Sequence, residues 1–188
     1  MPRQADPHLQ ERILEAAYRL WSRGGEKALT MRAVARAAKT TTPTVYQHFR
    51  DKREVLRHLR RRAQQDLYSA VRPARSLAEF CRTALEFALH HPQEYRLMAA
   101  GWIARFDARE PTPALDLLER RLAERLGGSP AQHRRLALSL AALVHGVIMA
   151  MLEGGGRNGV AAEMRHACLD GCEMLVGDAR AYRGAFRR

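Results

Sequence analysis

Apolar residues recur every three or four positions along almost the whole chain, and this spacing is typical of α-helices that bury one face. The first stripe shows the pattern clearly, and it consists of Leu9, Ile13, Ala16, Ala17 and Leu20. The alternation of apolar and polar residues that indicates a strand is almost absent. Glycine and proline clusters divide the chain into segments of helix length. We therefore predict an all-α protein of about nine helices.

The ends of the first three predicted helices are marked by residues with a capping function, and the second and third helices are short. Gly24-Gly25 ends the first helix, and Thr30 is the predicted N-cap of the second. Thr42-Pro43 is the predicted N-cap and first residue of the third helix, because proline lacks the N–H that this position leaves unpaired. The third helix is expected to end near Phe49.

The other six predicted helices are bounded in the same way. Asp51 and Glu54 indicate a capping box for a long fourth helix that ends before Pro73. Ser76 opens a fifth helix, which ends at His91-Pro92. The remaining helices are a sixth with Tyr95, Met98 and Trp102, a seventh at Ala114–Leu126, an eighth from Ser129-Pro130 to about Leu152, and a ninth from near Asn158.

The second and third helices form the pair that suggests a function. They are joined by about four residues around Lys39–Thr42, a spacing that sets two helices at a steep angle and is typical of a helix-turn-helix. In that motif the second helix enters the major groove of DNA. Polar side chains suited to base edges and phosphate oxygens follow the turn, and they are Thr41, Thr42, Thr44, Tyr46, Gln47 and His48. Lys52 follows as a predicted phosphate contact.

The distribution of charge supports a nucleic-acid partner. The net charge is +12, and residues 1–62 carry 15 basic against 6 acidic residues, so the first third holds most of the excess. A basic head on a near-neutral body favours DNA binding over an evenly solvated surface or a plain helical hairpin. We expect residues 1–52 to form the helix-turn-helix domain and residues 53–188 a larger helical domain.

The motif resembles the N-terminal domain of the TetR (tetracycline-repressor) family. The resemblance rests on Arg12–Ala17, on Thr30 with Arg32–Ala35, and on Pro43–Phe49 followed by Lys52. It implies a three-helix DNA-binding domain, a helical ligand-binding body and a homodimer formed through helices eight and nine. It also implies that a small-molecule effector releases the protein from a palindromic operator. Repression is the usual mode of regulation in the family.

The resemblance implies two groups of DNA contacts. Thr30, Tyr46, His48 and Lys52 are implied to hold phosphates. The residues implied to lie nearest the bases are Arg32, Thr41, Thr42, Thr44 and Gln47. Lys39 stands where the family usually has glycine in the turn. A lysine with positive φ costs about 1 kcal/mol, so we expect a turn that is kept but strained, with Lys39 adding a phosphate contact.

The body contains candidate residues for a ligand pocket, which are Phe80, Phe87, Met98, Trp102, Phe106, Leu140, Val144 and His145. For any single one of them, an ordinary core position is favoured over a ligand contact. His145-Gly146, with His91-Pro92, resembles a subgroup whose C-terminal domain carries a Trp-x-x-x-His-Gly signature, although Ala141 occupies the tryptophan position. We expect His145 to bind either a polar group of an effector or a backbone carbonyl, since a buried imidazole needs partners.

Cys168 and Cys172 lie one helical turn apart beside Ala167 and Gly171. Small residues in a row let a partner helix approach closely, which fits the expected dimer interface. The alternative is a redox-sensitive thiol pair. These two cysteines cannot bridge each other without distorting their helix, which leaves a bridge between subunits open.

Other function classes have little support in the sequence. No catalytic grouping, glycine-rich phosphate loop or metal-ligand spacing is present, so we expect no enzyme activity, metal or cofactor. An architectural DNA-binding protein would not need a near-neutral, apolar-lined body. The first 30 residues contain no apolar signal segment. The apolar stretch Leu136–Leu152 is short for a membrane span and contains His145. We therefore expect a bundle helix, free thiols and a cytoplasmic protein.

Overall fold

A computed structural model describes residues 8–100, 111–154 and 159–179. Within these ranges the chain forms nine α-helices, one 3₁₀ turn and no strand, so the all-α prediction is confirmed. The helices are α1 (Leu9–Ala28), α2 (Met31–Ala37), α3 (Thr42–His48), α4 (Lys52–Val71), α5 (Leu77–His90), α6 (Pro92–Ala99), α7 (Pro113–Leu126), α8 (Arg134–Gly154) and α9 (Val160–Gly177).

Most of the predicted helix ends are present. The Thr30 hydroxyl accepts the Ala33 N–H at 3.1 Å and caps α2. The Asp51 carboxylate accepts the Glu54 N–H at 2.8 Å, while the Glu54 side chain accepts from the Arg50 N–H instead of completing the box on Asp51. The backbone hydrogen bond from Glu54 is the main reason that the pKa of Asp51 lies below its ordinary value.

Three predicted ends differ from the structure. The N-cap of α3 is Thr41, so Thr42 is already helical. The chain kinks at Gly25 (φ 58°, ψ −144°) and then continues in helical form to Ala28. Ser129-Pro130 opens the 3₁₀ turn Pro130–His133, after which α8 begins. In each case the observed helix end lies within a few residues of the predicted one.

The chain divides into two compact units. The first comprises Met1–Ala63 and His91–Ala104, and the second comprises Gln64–His90 and Arg105–Arg188. Hence α4 contributes its first part to one unit and its last part to the other, and α6 belongs to the first unit. The core of the first unit is built mainly from residues that are less than 2% exposed, including Ile13, Ala16, Ala17, Leu29, Val34, Val45, Phe49, Val55 and Leu59.

The second unit is a bundle in which α5 packs on α8 and α9, α8 packs on α9, and α7 packs on α8 and the 3₁₀ turn. Its buried polar groups are paired. The Arg134 guanidinium lies 2.9 Å from the Glu119 carboxylate, and His133 Nε2 lies 2.7 Å from the Gly127 carbonyl oxygen. Such pairing avoids the cost of an isolated buried polar group.

The helix α8 has one buried side and one exposed side. Among the described residues, Pro130–Gly154 is the one helical segment that is long and apolar enough to cross a membrane by length and composition alone. The buried side consists of Leu136, Ala137, Leu140, Val144 and Ile148. On the opposite side of this helix, Ala142, Gly146 and Ala150 are exposed.

Candidate nucleic-acid interface

The third helix turns its apolar side inward and its polar side outward. Val45 and Phe49, four residues apart, are at most 1% exposed and hold α3 on the core of the first unit. At 100° per residue, Gln47 lies roughly opposite Val45, with Thr44 next to it on the same outer face. Tyr46 and His48 lie on the two flanks, and both are exposed. The helix therefore presents two polar side chains centrally and one at each edge.

Two threonine hydroxyls are linked at the start of α3. The Thr41 hydroxyl accepts the Thr44 N–H at 3.3 Å, and the two hydroxyl oxygens lie 2.7 Å apart. A hydroxyl can donate one hydrogen bond while it accepts others. Thr41 and Thr44 can thus hold the helix end and still offer an oxygen or a proton to DNA.

The turn between α2 and α3 has the strained conformation that the sequence predicts. Lys39 has φ 54° and is the one non-glycine residue with positive φ among the described residues. The Thr40 N–H donates to the Ala35 carbonyl at 2.9 Å, and the Lys39 N–H donates to the Arg36 carbonyl at 3.2 Å. This pattern is a Schellman motif with Lys39 at its left-handed position. The side chain of Lys39 is exposed.

The second helix contributes two arginines to the exposed surface. Val34 and Ala35 are buried, whereas Arg32 and Arg36 are exposed at positions one turn apart. The sequence analysis identified Arg32 and missed Arg36. Its i, i+4 spacing from Arg32 was the signal that could have found it.

Lys52 lies against the end of the first helix. Its Nζ donates to the Glu26 backbone carbonyl at 3.2 Å and lies 3.5 Å from the Glu26 carboxylate. The Lys52 side chain remains 34% exposed. Glu26 therefore holds the ammonium group near the surface, and its own charge competes with any phosphate that binds there. Sequence reasoning missed this contact because 26 residues separate the partners.

The sixth helix is anchored to the same unit by three side chains. Trp21 Nε1 donates to the Gln93 carbonyl at 2.9 Å, the Ser22 hydroxyl donates to Glu94, and Arg60 Nε donates to the Leu97 carbonyl at 3.2 Å. Leu97 is 4% exposed and belongs to the core of the first unit. A segment that begins more than 40 residues beyond the helix-turn-helix thus packs on the helices of the same unit.

Comparison with known proteins assigns the chain to a family. Residues 13–59 match the family model described as bacterial regulatory proteins, tetR family. Residues 77–171 match the model described as tetracyclin repressor-like, C-terminal domain. The chain belongs to the TetR family. It is therefore a transcriptional regulator with a DNA-binding helix-turn-helix domain followed by a helical C-terminal domain.

Solved structures of the TetR fold are similar over most of their length. TetR from Acinetobacter baumannii AYE is 19% identical, with 91% of this chain and 96% of that chain covered and a TM-score of 0.64. A tetR-family transcriptional regulator from Streptomyces coelicolor is 18% identical, with coverage of 97% and 87% and a TM-score of 0.67. The multidrug binding protein EbrR, complexed with imidazole, is 21% identical, with coverage of 87% and 94% and a TM-score of 0.62. No curated protein matches the chain.

The predicted DNA contacts of this TetR-family protein all lie in the first unit. Each of the ten is exposed or half-buried, and they are Thr30, Arg32, Lys39, Thr41, Thr42, Thr44, Tyr46, Gln47, His48 and Lys52. The matched TetR N-terminal region includes all of them. Their roles as base and phosphate contacts stay a prediction.

The predicted ligand residues are divided between the units. Phe80 and Phe87 lie on α5, and Leu140, Val144 and His145 lie on α8, which packs on α5. Met98 lies on α6 in the first unit, while Trp102 and Phe106 fall outside the described residues. Burial lowers the pKa of His145, because it disfavours the charged imidazolium. Whether these residues bind a ligand stays a prediction.

The cysteines face the interior of their own chain, which differs from the sequence interpretation of a small-residue contact with a partner. Cys168 and Cys172 are at most 2% exposed. A Cβ added at Gly171 would meet Leu143 of α8 at 3.1 Å, so the close helix approach at Gly171 is made within one chain. In the described ranges no group of three or more potential ligand side chains could hold a metal ion.

Proposed function

We propose that the protein is a cytoplasmic transcriptional repressor that binds a palindromic operator as a homodimer and is released from it by a small-molecule effector. The main support for DNA binding is the arrangement of polar side chains on the outer face of α3. Gln47 and Thr44 lie at its centre, flanked by Tyr46 and His48, with Val45 buried behind them. This arrangement fits a recognition helix that reads bases along its middle and holds phosphates at its edges.

The proposed dimer rests on the exposed faces of α8 and α9. Three small residues at successive turns of α8, Ala142, Gly146 and Ala150, are exposed, and a Cβ added at Gly146 meets nothing within 4 Å. On α9, Val160 is 59% and Met174 is 73% exposed. A second copy is the proposed occupant, because the two faces adjoin on packed helices and a small-residue stripe lets a partner helix approach.

The dimer sets the geometry of the operator. Two recognition helices related by a twofold axis would enter successive major grooves about 34–36 Å apart. Each basic first unit would add phosphate contacts, so binding should weaken steeply as the salt concentration rises.

The effector is proposed to bind among residues of α5 and α8, with His145 as its polar partner. His145-Gly146 also supports the proposed subgroup with the Trp-His-Gly type of C-terminal domain. Since α4 contributes to both compact units, a shift of α4 on effector binding would change the spacing of the recognition helices. Effector binding would then weaken DNA binding, and DNA binding would weaken effector binding by the same factor. The coupling free energy is typically about 1–3 kcal/mol.

The DNA-binding proposal is tested by selection of bound sequences from a random DNA pool. We expect a motif with twofold symmetry and half-sites about one helical turn apart. Lys52→Ala should weaken binding to all sequences by a similar factor, whereas Gln47→Ala should change the preferred bases. Gln65→Ala, an exposed glutamine of the second unit, is the matched control and should change neither.

Two results would contradict this proposal. One is a pool without an enriched motif at low salt. The other is a reversal of the roles, in which Lys52→Ala changes the preferred bases and Gln47→Ala weakens all sequences equally.

A further inference from the structure

The positive charge of the first unit is concentrated on the first part of α4. Residues 50–62 contain seven basic and two acidic residues, a net charge of +5, whereas residues 30–49, which include the helix-turn-helix, carry +3. Residues 1–62 together carry 15 basic and 6 acidic residues, a net charge of +9. More than half of this excess therefore lies on α4 and the turn before it, where Lys52 is the one predicted DNA contact.

Two arginines of α4 are bound to other helices of the unit. Arg60 Nε donates to the Leu97 carbonyl at 3.2 Å. Arg62 Nη1 lies 2.5 Å from the Glu15 carboxylate, and Arg62 Cζ lies 4.0 Å from the centroid of the Tyr18 ring. These contacts join α4 to α6 and to α1, so packing within the unit accounts for both side chains.

Three other arginines of α4 face away from the core. Arg53, Arg57 and Arg61 are exposed and follow one another at four-residue intervals, which places them on one side of the helix about 6 Å apart along its axis. We call these three residues the α4 ridge. Val55 and Leu59, each 1% exposed, hold the opposite side of α4 on the core. Among the described residues, no ion pair joins a ridge arginine to an acidic side chain.

Helix stability does not explain the α4 ridge. Like charges four residues apart on a helix repel each other and destabilise it. The two acidic residues of this stretch are held at the start of the helix, where Asp51 accepts the Glu54 N–H and Glu54 accepts the Arg50 N–H. A row of exposed cations fits a partner that carries a row of anions, and the phosphate backbone of DNA has this form.

The α4 ridge also continues the surface that is proposed to bind DNA. His48, at the end of α3, and Arg50 are exposed, and Arg53 directly follows Lys52. Exposed polar and basic side chains thus lead from the recognition helix onto α4. We propose that the α4 ridge binds the phosphate backbone of the duplex beyond the bases that α3 reads, an inference that rests on the proposed role of α3. Each chain would then hold a longer stretch of DNA than its helix-turn-helix does.

The first test uses the full-length protein and a labelled duplex of scrambled sequence, so that it does not depend on the operator. Fluorescence anisotropy measures the dissociation constant between about 50 and 200 mM salt. The variant R53Q/R57Q/R61Q should bind at least about tenfold more weakly at low salt. The slope of log affinity against log salt should fall by about two to three for each bound chain, because each phosphate contact contributes about 0.9.

Two control variants separate a contact of the α4 ridge from a general effect of charge. R72Q/R75Q/R82Q removes the same charge from three exposed positions of the second unit and should leave the slope unchanged. R53K/R57K/R61K keeps the charge of the ridge and should retain most of the affinity and the slope. Circular dichroism melts check that each variant is folded, and the single variant R57Q should show a smaller change in the same direction as the triple variant.

A second test locates the contact along the DNA. Duplexes that end at the edges of the motif enriched from the random pool are compared with duplexes extended by one helical turn on each side. Wild-type protein should gain about tenfold in affinity from the extension, whereas R53Q/R57Q/R61Q should gain little. A pool without an enriched motif would contradict the proposed operator, while the scrambled duplex would still test the α4 ridge.

Three results would overturn the proposal for the α4 ridge. One is an equal salt slope for R53Q/R57Q/R61Q and wild type, which would leave the ridge to another anionic partner such as an acidic protein. Another is an equal loss of affinity in R72Q/R75Q/R82Q. The third is a wild-type protein that gains nothing from the extended duplex.

Discussion

Lys39 combines a left-handed backbone conformation with a side chain that is exposed to solvent. Its left-handed conformation completes the Schellman motif that ends α2, and its side chain remains exposed beside α3. A glycine would adopt the same φ without the Cβ clash. The lysine therefore carries a conformational cost at a position where its charge can meet a phosphate.

Lys39→Gly should stabilise the fold and weaken DNA binding. Relief of about 1 kcal/mol of left-handed strain is partly offset by the larger unfolded-state entropy of glycine, so we expect a gain of about 0.5 kcal/mol in unfolding free energy. Urea unfolding followed by circular dichroism measures this change in the free energy of unfolding. Lys39→Ala is the control, since it removes the same charge and keeps the strain. Equal stabilisation by both variants would show that strain is not the cause.

Glu26 is the second residue whose role depends on a close neighbour. Glu26→Gln removes the negative charge 3.5 Å from Lys52 Nζ while keeping the backbone carbonyl contact. An exposed pair of this kind is worth up to about 1 kcal/mol, so we expect DNA affinity to rise about three- to fivefold at low salt. Fluorescence anisotropy with labelled duplex measures the change.

The control for this prediction is a double-mutant cycle. The gain from Glu26→Gln should disappear in a Lys52→Ala background, because the two residues act through one contact. Glu86→Gln, the same change on an exposed position of the second unit, should leave affinity unaltered. A full gain in the Lys52→Ala background would exclude the proposed coupling.

At the scale of elements, the helix-turn-helix could be predicted from the sequence, but the packing of α6 on the same unit could not. The ends of α2, α3 and α4 depend on Thr30, Thr41 and Asp51, each of which bonds to a backbone group three residues away. The anchoring of α6 depends on the hydrogen bond from Trp21 to Gln93 and on Leu97 in the core of the first unit, and both form only after the chain has passed through α5. The local sequence pattern of a helix does not show whether it packs on the helices next to it in sequence or on a unit formed by an earlier part of the chain.

Leu97→Ala should loosen the DNA-binding unit through α6. Truncating a leucine that is 4% exposed typically costs about 2–5 kcal/mol, and its neighbours are the core residues of the first unit. Native-state hydrogen exchange should show faster exchange in α1 and α6. Leu85→Ala, an equally buried leucine of α5, is the control and should act mainly on the second unit. Unchanged protection of α1 in Leu97→Ala would contradict the anchoring role.

At the scale of the whole molecule, the exposed side of α8 is the feature of the described residues that supports a second copy as partner. Among the described helices this one is long and apolar enough to cross a membrane, and its exposed stripe is Ala142, Gly146 and Ala150. Large exposed apolar faces usually mark an interaction site. Association of two chains would cover this stripe and would provide the twofold symmetry that a palindromic operator requires.

Gly146→Glu should separate the subunits without unfolding the chain. A Cβ at this position meets nothing within 4 Å, and glutamate has a higher helix propensity than glycine. In a dimer the charge would be buried without a partner. We expect the dimer dissociation constant to rise at least about 100-fold, or roughly 2.7 kcal/mol, measured by sedimentation equilibrium.

The matched control adds the same charge on another helix. Ser69→Glu lies at an exposed position of α4 and should leave the oligomeric state unchanged. A Gly146→Glu protein that remains dimeric, or a wild-type protein that is monomeric at all concentrations, would show that this face is not the dimer interface.

The sequence by itself determined the features that depend on neighbours within a few residues. These are the all-α class, the nine helices of the described ranges, the cap at Thr30 and the left-handed turn at Lys39, because hydrogen bonds and steric clashes act locally there. The family resemblance rests on the same short span, and the family models confirm it.

Only the tertiary structure decided which distant residues meet. It brings Glu26 to Lys52 and Trp21 to α6, and it leaves one side of α8 exposed. These contacts join residues that lie 26 or more positions apart, and their partners are selected by how apolar faces pack. A periodic pattern shows that a helix has an apolar face, but it does not show which surface covers that face.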